Sequence, residues 1–161
     1  MAAVAASPSA LPHRAPIVAL ALIGCAIALY LALYQLGVTA SIWDPLFGRG
    51  SEAVVDSPLS RALPLPDAVV GALAYALDAV LGALGDEGRW RTTPWLVLLH
   101  GLVLLGLVLA GILLVLAQAL LLHTGCLLCL CSAAVSFASG WLAHGEVWAA
   151  VQHLRTKEAC A

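Results

Sequence analysis

Cys126 and Cys129 stand three residues apart in the stretch Thr124-Gly125-Cys126-Leu127-Leu128-Cys129-Leu130-Cys131-Ser132, between two long apolar runs. Two thiols at this spacing can close into a reversible disulfide. If the second run is a helix starting near Gly125, both lie in its first turn and nearly on one face. The thiolate is the reactive form of cysteine, and the partial positive charge of a helix N-terminus lowers a cysteine pKa. Three chemistries fit such a pair. A thioredoxin-like centre needs a βαβ context that this chain does not offer. A metal centre would recruit Cys126, Cys129, Cys131 and His123, but Cys131 points away and no second Cys-x-x-Cys or His pair completes a tetrahedral shell, so no metal is expected. The third is a redox pair inside a membrane; a purely packing role for the thiols is the alternative to all of them.

The elements that must position the pair follow from composition. The chain has 161 residues, of which 63% are hydrophobic and 10% charged, with a mean hydropathy of +1.02. These values exclude an ordinary soluble globule and indicate one integral membrane domain. A net charge of −2 offers no basic surface for nucleic acid. The five cysteines, Cys25, Cys126, Cys129, Cys131 and Cys160, cluster around one place rather than forming a disulfide framework. Cys25, among Ala, Ile and Gly, reads as a small packing residue.

Residues 1–16 are rich in Ala, Ser and Pro and read as a disordered tail; residues 15–38 then run without a charge, long enough for a first crossing. Residues 39–66 turn to Ser, Pro, Gly and charge, with Ser51 placed to N-cap a short helix through Val55. Trp43, Leu46 and Phe47 in this loop suggest a segment lying on the membrane surface or folded back as a lid. A second helix is expected over residues 67–84, with Asp67, Gly71, Asp78 and Gly82 on one stripe that faces protein. Asp67 can act there as a helix cap or as a functional group.

No Asp, Glu, Lys or Arg occurs from Thr92 to Gly145. That run is too long for one span, and His123-Thr124-Gly125 is its natural break. A third helix near residues 94–121 and a fourth over residues 126–147 follow, with Cys126, Cys129, Ala133, Ser136 and Gly140 on one face. Asp78 and His100 fall at similar depth in antiparallel neighbours. They are expected to meet as a structural pair, with a proton relay as the alternative. The fold class is therefore all-α, a four-helix membrane bundle over residues 17–148 with a long outward loop between helices 1 and 2 and a tail at 149–161. Arg14, Arg89, Arg91, Arg155 and Lys157 fall on one side and Arg49 and Arg61 on the other. The positive-inside rule puts both termini in the cytoplasm of a multi-pass cell-membrane protein, with the Cys-x-x-Cys end facing outward, where disulfides persist.

The order of four crossings, a long first loop, Leu65-Pro66-Asp67-Ala68-x-x-Gly71-Ala72-x-x-Tyr75 opening the second helix and Cys126-Leu127-Leu128-Cys129-Leu130 opening the fourth resembles the vitamin K epoxide reductase family in its bacterial membrane form. The resemblance covers residues 17–142. It implies a quinone-linked thiol oxidoreductase with a quinone held among the helices. It also implies that Cys129 passes electrons to the quinone, that Cys126 exchanges disulfides with an outside thiol, and that Asp67 hydrogen-bonds a quinone carbonyl. Family members usually carry a further cysteine pair in the first loop, whereas no cysteine lies between Cys25 and Cys126 here. A thioredoxin-like or other thiol partner on the outer side must then meet Cys126 directly, or the chain is a divergent, non-enzymatic member serving quinone binding or assembly. Animal members have a tyrosine where this chain has Ala133, which favours menaquinone or ubiquinone over vitamin K epoxide.

Overall fold

The computed structural model describes residues 9–58, 60 and 64–159, and every regular element among them is helical. Arg61 and Cys160 lie outside the described residues. Four long helices carry the fold: α1 (Leu11–Gln35), α3 (Asp67–Ala83), α5 (Pro94–Ala117) and α6 (Leu127–Ala159). Two short ones, α2 (Gly50–Val55) and α4 (Arg89–Thr92), sit between them. Helix α1 packs against α3 and α6, and α5 packs against the same two. Leu11–Gln35, Pro94–Leu122 and Leu127–Lys157 are each long and apolar enough to cross a membrane. Helix α3, at 17 residues, spans about 26 Å, slightly less than the ~30 Å hydrocarbon core.

Three boundaries differ from the sequence expectation, each for a visible reason. Helix α1 starts at Leu11 instead of following a tail through residue 16. Arg14 is buried there and its guanidinium donates to the carbonyls of Gly82, Ala83, Leu84 and Gly85 at 2.7–3.0 Å, capping the end of α3. Helix α6 runs on to Ala159 where a tail was expected from residue 149. It continues because Glu146 and Ala150 are buried and His153 meets the edge of Trp90, with ring centroids 6.0 Å apart. Ser51 does not cap α2, whose capping position is Arg49; its hydroxyl donates instead to Asp44 Oδ2 at 2.5 Å.

The third helix ends as a π-helical turn over Gln118–Leu122, and His123 then adopts a left-handed φ of 48°. This breaks the apolar run at the residue the sequence suggested. The small face of α6 is also where it was expected: Cys126, Cys129, Ala133 and Ser136 are buried while Cys131 is exposed. Near the cysteines the core is built by Leu31 of α1, Ile42, and Val54 and Val55 of α2. Burying each such aliphatic side chain contributes roughly 1.5–3 kcal/mol, enough to hold the short α2 over the start of α6.

Candidate functional site

Cys126 and Cys129 form a disulfide, with Cα atoms 5.2 Å apart. The start of α6 holds them. The carbonyl of Cys126 accepts the Leu130 N–H at 3.0 Å, its sulfur accepts the Cys129 N–H at 3.1 Å, and its own N–H donates to Gln118 Oε1 at 2.7 Å. Cys126 thus stands at the capping position of α6, where unpaired backbone N–H groups favour negative charge on sulfur. The π-helical turn places Gln118 for this contact, in keeping with the frequent occurrence of such turns at functional sites.

The two sulfurs have different surroundings. Cys129 lines a cavity of about 680 Å³ between the helices, whereas Cys126 is not among its lining residues. The cavity walls are mainly aliphatic, and its polar side chains include Asp67, Tyr75, Ser132 and Ser136. Val70 and Leu77 of α3 and Leu113 of α5 are exposed as well as cavity-lining, so the cavity opens sideways between those helices. Its size and apolar character suit an organic ring with a hydrocarbon tail.

The model of the vitamin K epoxide reductase family matches residues 15–144. The chain belongs to the vitamin K epoxide reductase family. A comparison with curated proteins gives no match. Members of the family are generally quinone oxidoreductases that work with thiol partners, and the apolar spans of this chain make it a membrane protein of that family.

In this family member, Asp67 is the first residue of α3, with Pro66 at the capping position. Its Oδ1 accepts the Gln35 side-chain N–H at 2.6 Å and the Ala68 N–H at 2.8 Å. Gln35 was not singled out from sequence, yet its amide also donates to the Val55 carbonyl and Ser60 Oγ, each at 3.2 Å, and accepts the Ala68 N–H at 3.2 Å. It ties the end of α1 to α2 and to the start of α3. Tyr75, the last residue of the second-helix motif, puts its hydroxyl 2.8 Å from the Ser132 carbonyl and 2.6 Å from Ser136 Oγ, joining α3 to α6 beside the cavity.

The cover over Cys126 turns on Asp44, another residue the sequence reading passed over. Its carboxylate accepts the N–H groups of Leu46 at 3.0 Å and Phe47 at 2.9 Å, the Ser51 hydroxyl, and the N–H of Leu127 at 3.2 Å. Burial works against its charge, but the hydrogen bonds from Phe47, Ser51, Leu127 and Leu46 outweigh it and hold the carboxyl below its usual value. The signal was present as an Asp followed by a turn, but the Leu127 N–H is 83 residues away. Two glycines allow the close approach. A Cβ on Gly125 would lie 2.5 Å from the Phe47 ring, and one on Gly50 would lie 2.4 Å from the Gly125 carbonyl oxygen. Phe47 therefore covers the start of α6, while Trp43 and Leu46 remain exposed at 71% and 70%, on the outside of the cover.

The Asp78–His100 pair is present as expected, with His100 Nε2 2.8 Å from Asp78 Oδ1 and both side chains buried. Arg89, counted from sequence among the basic residues that set the orientation, is fully buried. It binds Glu146 through two bonds of 2.6 and 2.7 Å. Among the described residues no cluster of three or more His, Cys, Asp or Glu could hold a metal. Cys25 places its sulfur 3.6 Å from the Ala72 carbonyl, a packing position.

Proposed function

We propose that this chain is a membrane thiol oxidoreductase that oxidises an outside thiol partner and passes the electrons through Cys126 and Cys129 to a quinone in the cavity. The observation that carries this reading is the unequal placement of the pair: Cys129 lines the cavity and Cys126 lies under the Asp44–Phe47 cover. Cys126 is then the sulfur that exchanges with the partner, and Cys129 the one that faces the quinone. When bound, a quinone supplies an acceptor for two electrons and two protons, matching the two electrons released as a dithiol becomes a disulfide.

The residues that line the cavity fit a quinone. Aliphatic side chains of α1, α3, α5 and α6 line the cavity and exclude water, and the sideways mouth suits entry from lipid. Asp67, held by Gln35, lines the same space with its carboxyl group and is the residue assigned to orient a ring carbonyl. Tyr75, fixed by Ser132 and Ser136, adds a hydroxyl. Menaquinone and ubiquinone are the expected classes. In the same proposal all four long helices cross the membrane, α3 included, both termini lie in the cytoplasm, and the cover faces the outer side. A thioredoxin-like or other thiol protein docks there and reaches Cys126 without a relay of loop cysteines.

The test is to count free thiols in the pre-reduced protein, in membranes, before and after adding a short-tailed ubiquinone or menaquinone, with Cys126→Ser and Cys129→Ser beside it. Loss of two thiols that requires both residues is the expected result. No loss with either quinone would overturn the reading and leave a family member that binds or assembles without catalysing.

A further inference from the structure

Four buried side-chain polar atoms have no hydrogen-bond partner among the described residues, Thr39 Oγ1, Gln118 Nε2, Asp78 Oδ2 and Ser139 Oγ, and the last two lie beyond the cavity on the side away from the cysteines. Both side chains are fully buried, at 0% exposure. Asp78 follows Tyr75 by three residues on α3, and Ser139 follows Ser136 by three on α6. Because the Tyr75 hydroxyl meets Ser136 Oγ at 2.6 Å, the two helices carry these orphans in the same direction from the cavity, about 4.5 Å further along their axes. Buried groups of this kind are ordinarily met by internal water.

From Asp78 a chain of ionisable groups continues away from the cysteines. Asp78 Oδ1 lies 2.8 Å from His100 Nε2. On the other side of the ring, His100 Nδ1 is 3.5 Å from Arg89 Nη2. A guanidinium can only donate, so Nδ1 accepts and Nε2 carries the hydrogen that Asp78 receives. The same Nη2 holds Glu146 Oε2 at 2.7 Å, and Glu146 Oε1 accepts the Ser9 hydroxyl at 2.5 Å. Arg14 of α1 also reaches this end, its guanidinium 3.5 Å from the Asp86 carbonyl oxygen, and Glu87 and Arg91 are near neighbours of Arg89 in the chain. A simple staple between helix ends needs only Arg89 and Glu146. It does not need an Asp–His pair buried further toward the cavity, with one carboxylate oxygen left open.

We propose that Asp78 and His100 are a proton relay from the helix ends opposite the cysteines to the cavity. A proton from those helix ends, carried by water past the long 3.5 Å Arg89 contact, binds His100 Nδ1 as Nε2 gives its hydrogen to Asp78. Asp78 passes it on, through water at Asp78 Oδ2 and Ser139 Oγ, to the Ser136 and Tyr75 hydroxyls that face the cavity, Arg89 itself keeping its protons throughout. This rests on the quinone-reducing reading above. In one turnover the dithiol closes its S–S bond and releases two electrons and two protons. The electrons pass to the quinone, and two protons taken from the opposite side of the membrane reach it through Asp78. The thiol protons leave on the cysteine side, so turnover separates charge.

The test uses the full-length protein in liposomes that hold a trapped pH dye, with valinomycin and potassium to collapse the membrane potential. Reduced glutathione and a short-tailed ubiquinone are added outside, and the impermeant thiol drives only molecules whose cysteine end faces out. The expected result is a rise in interior pH of two protons per quinone reduced. Asp78→Asn and His100→Gln each keep a hydrogen-bonding side chain but cannot relay a proton; each is expected to slow this uptake roughly 10²-fold, the scale of a lost proton-transfer group, with the melting temperature unchanged. Ser139→Ala, which disturbs only the water position, gives a smaller loss and serves if the first two variants fail to fold. Quinone reduction with an unchanged interior pH overturns the relay but not the quinone reading, as does wild-type uptake in Asp78→Asn or, where that does not fold, in Ser139→Ala. No quinone reduction in the wild type overturns both.

Discussion

Replacing Asp44 by alanine should uncover Cys126. The sulfur is fully buried, so an aqueous reductant must wait for the segment that bears Asp44 and Phe47 to lift. Of the four hydrogen bonds to the Asp44 carboxylate, three stay within the loop and α2; only the bond from Leu127 joins the cover to α6. A hydrogen bond to a charged group contributes about 1.5–3 kcal/mol. Losing one of about 2 kcal/mol raises the open fraction roughly 30-fold, since about 1.4 kcal/mol is a factor of ten. The rate at which a water-soluble phosphine reduces the disulfide should rise by a similar factor, read by quenching with a heavy maleimide and resolving the products on a gel. Ser51→Ala leaves the Leu127 bond in place and should accelerate reduction far less. If Asp44→Ala is folded and is reduced within about twofold of the parent rate, Cys126 is reached by a path other than the cover, and the assignment of Asp44 as its latch is wrong.

Gly125→Ala should act in the same direction, because its Cβ would lie 2.5 Å from the Phe47 ring. The ring must give way at a cost of about 1–3 kcal/mol, seen as faster phosphine reduction with α6 intact by circular dichroism. Acid should also open the cover. The Asp44 carboxyl is held below its ordinary value of 3.8, so its contribution is complete above that value and is lost as pH falls through the lower folded one; phosphine reduction should accelerate only below about pH 3.8. Arg89→Met leaves Glu146 buried without its partner, and breaking such a pair costs about 3–5 kcal/mol. The melting temperature in detergent should fall sharply, and an unchanged value would show that Glu146 finds another partner.

What could be read from sequence was what helix periodicity and span length control. The small face of α6 and the exposure of Cys131 follow from residues three and four apart on a regular helix, the break at His123 from an apolar run too long for one span, and the meeting of Asp78 with His100 from their similar depth in antiparallel neighbours. Asp44, Gln35 and Gln118 escaped because their partners are backbone groups or come from distant elements: the Leu127 N–H, the Val55 carbonyl and the Cys126 N–H. Gln118 in addition depends on a π-helical turn, which shifts a side chain off the α-helical face that a periodicity argument assumes. Arg14 and Arg89 misled for a different reason. Their positions beside apolar runs look like solvated membrane-flanking charges, and only the assembled fold presents the α3 carbonyls and the Glu146 carboxylate that bury them.

Asp44 bears on Cys126 in a second way that matters for how the pair is used. The N-terminus of α6 is the local source of positive potential, and with the cover closed the Asp44 carboxylate occupies part of it through the Leu127 N–H. A carboxylate at that point opposes a second negative charge on the neighbouring sulfur, so the closed state favours the disulfide and disfavours a free Cys126 thiolate. Lifting the cover withdraws the carboxylate, exposes the sulfur and returns the helix end to Cys126 alone. Access and thiolate stabilisation are therefore coupled through one residue. On the proposed reading this is the sense that the missing loop cysteines require: with no relay between Cys25 and Cys126, the partner's thiol must attack Cys126 itself and expel Cys129. The state that admits the partner is also the one that stabilises Cys126 as the leaving thiolate when the partner's second thiol resolves the mixed disulfide.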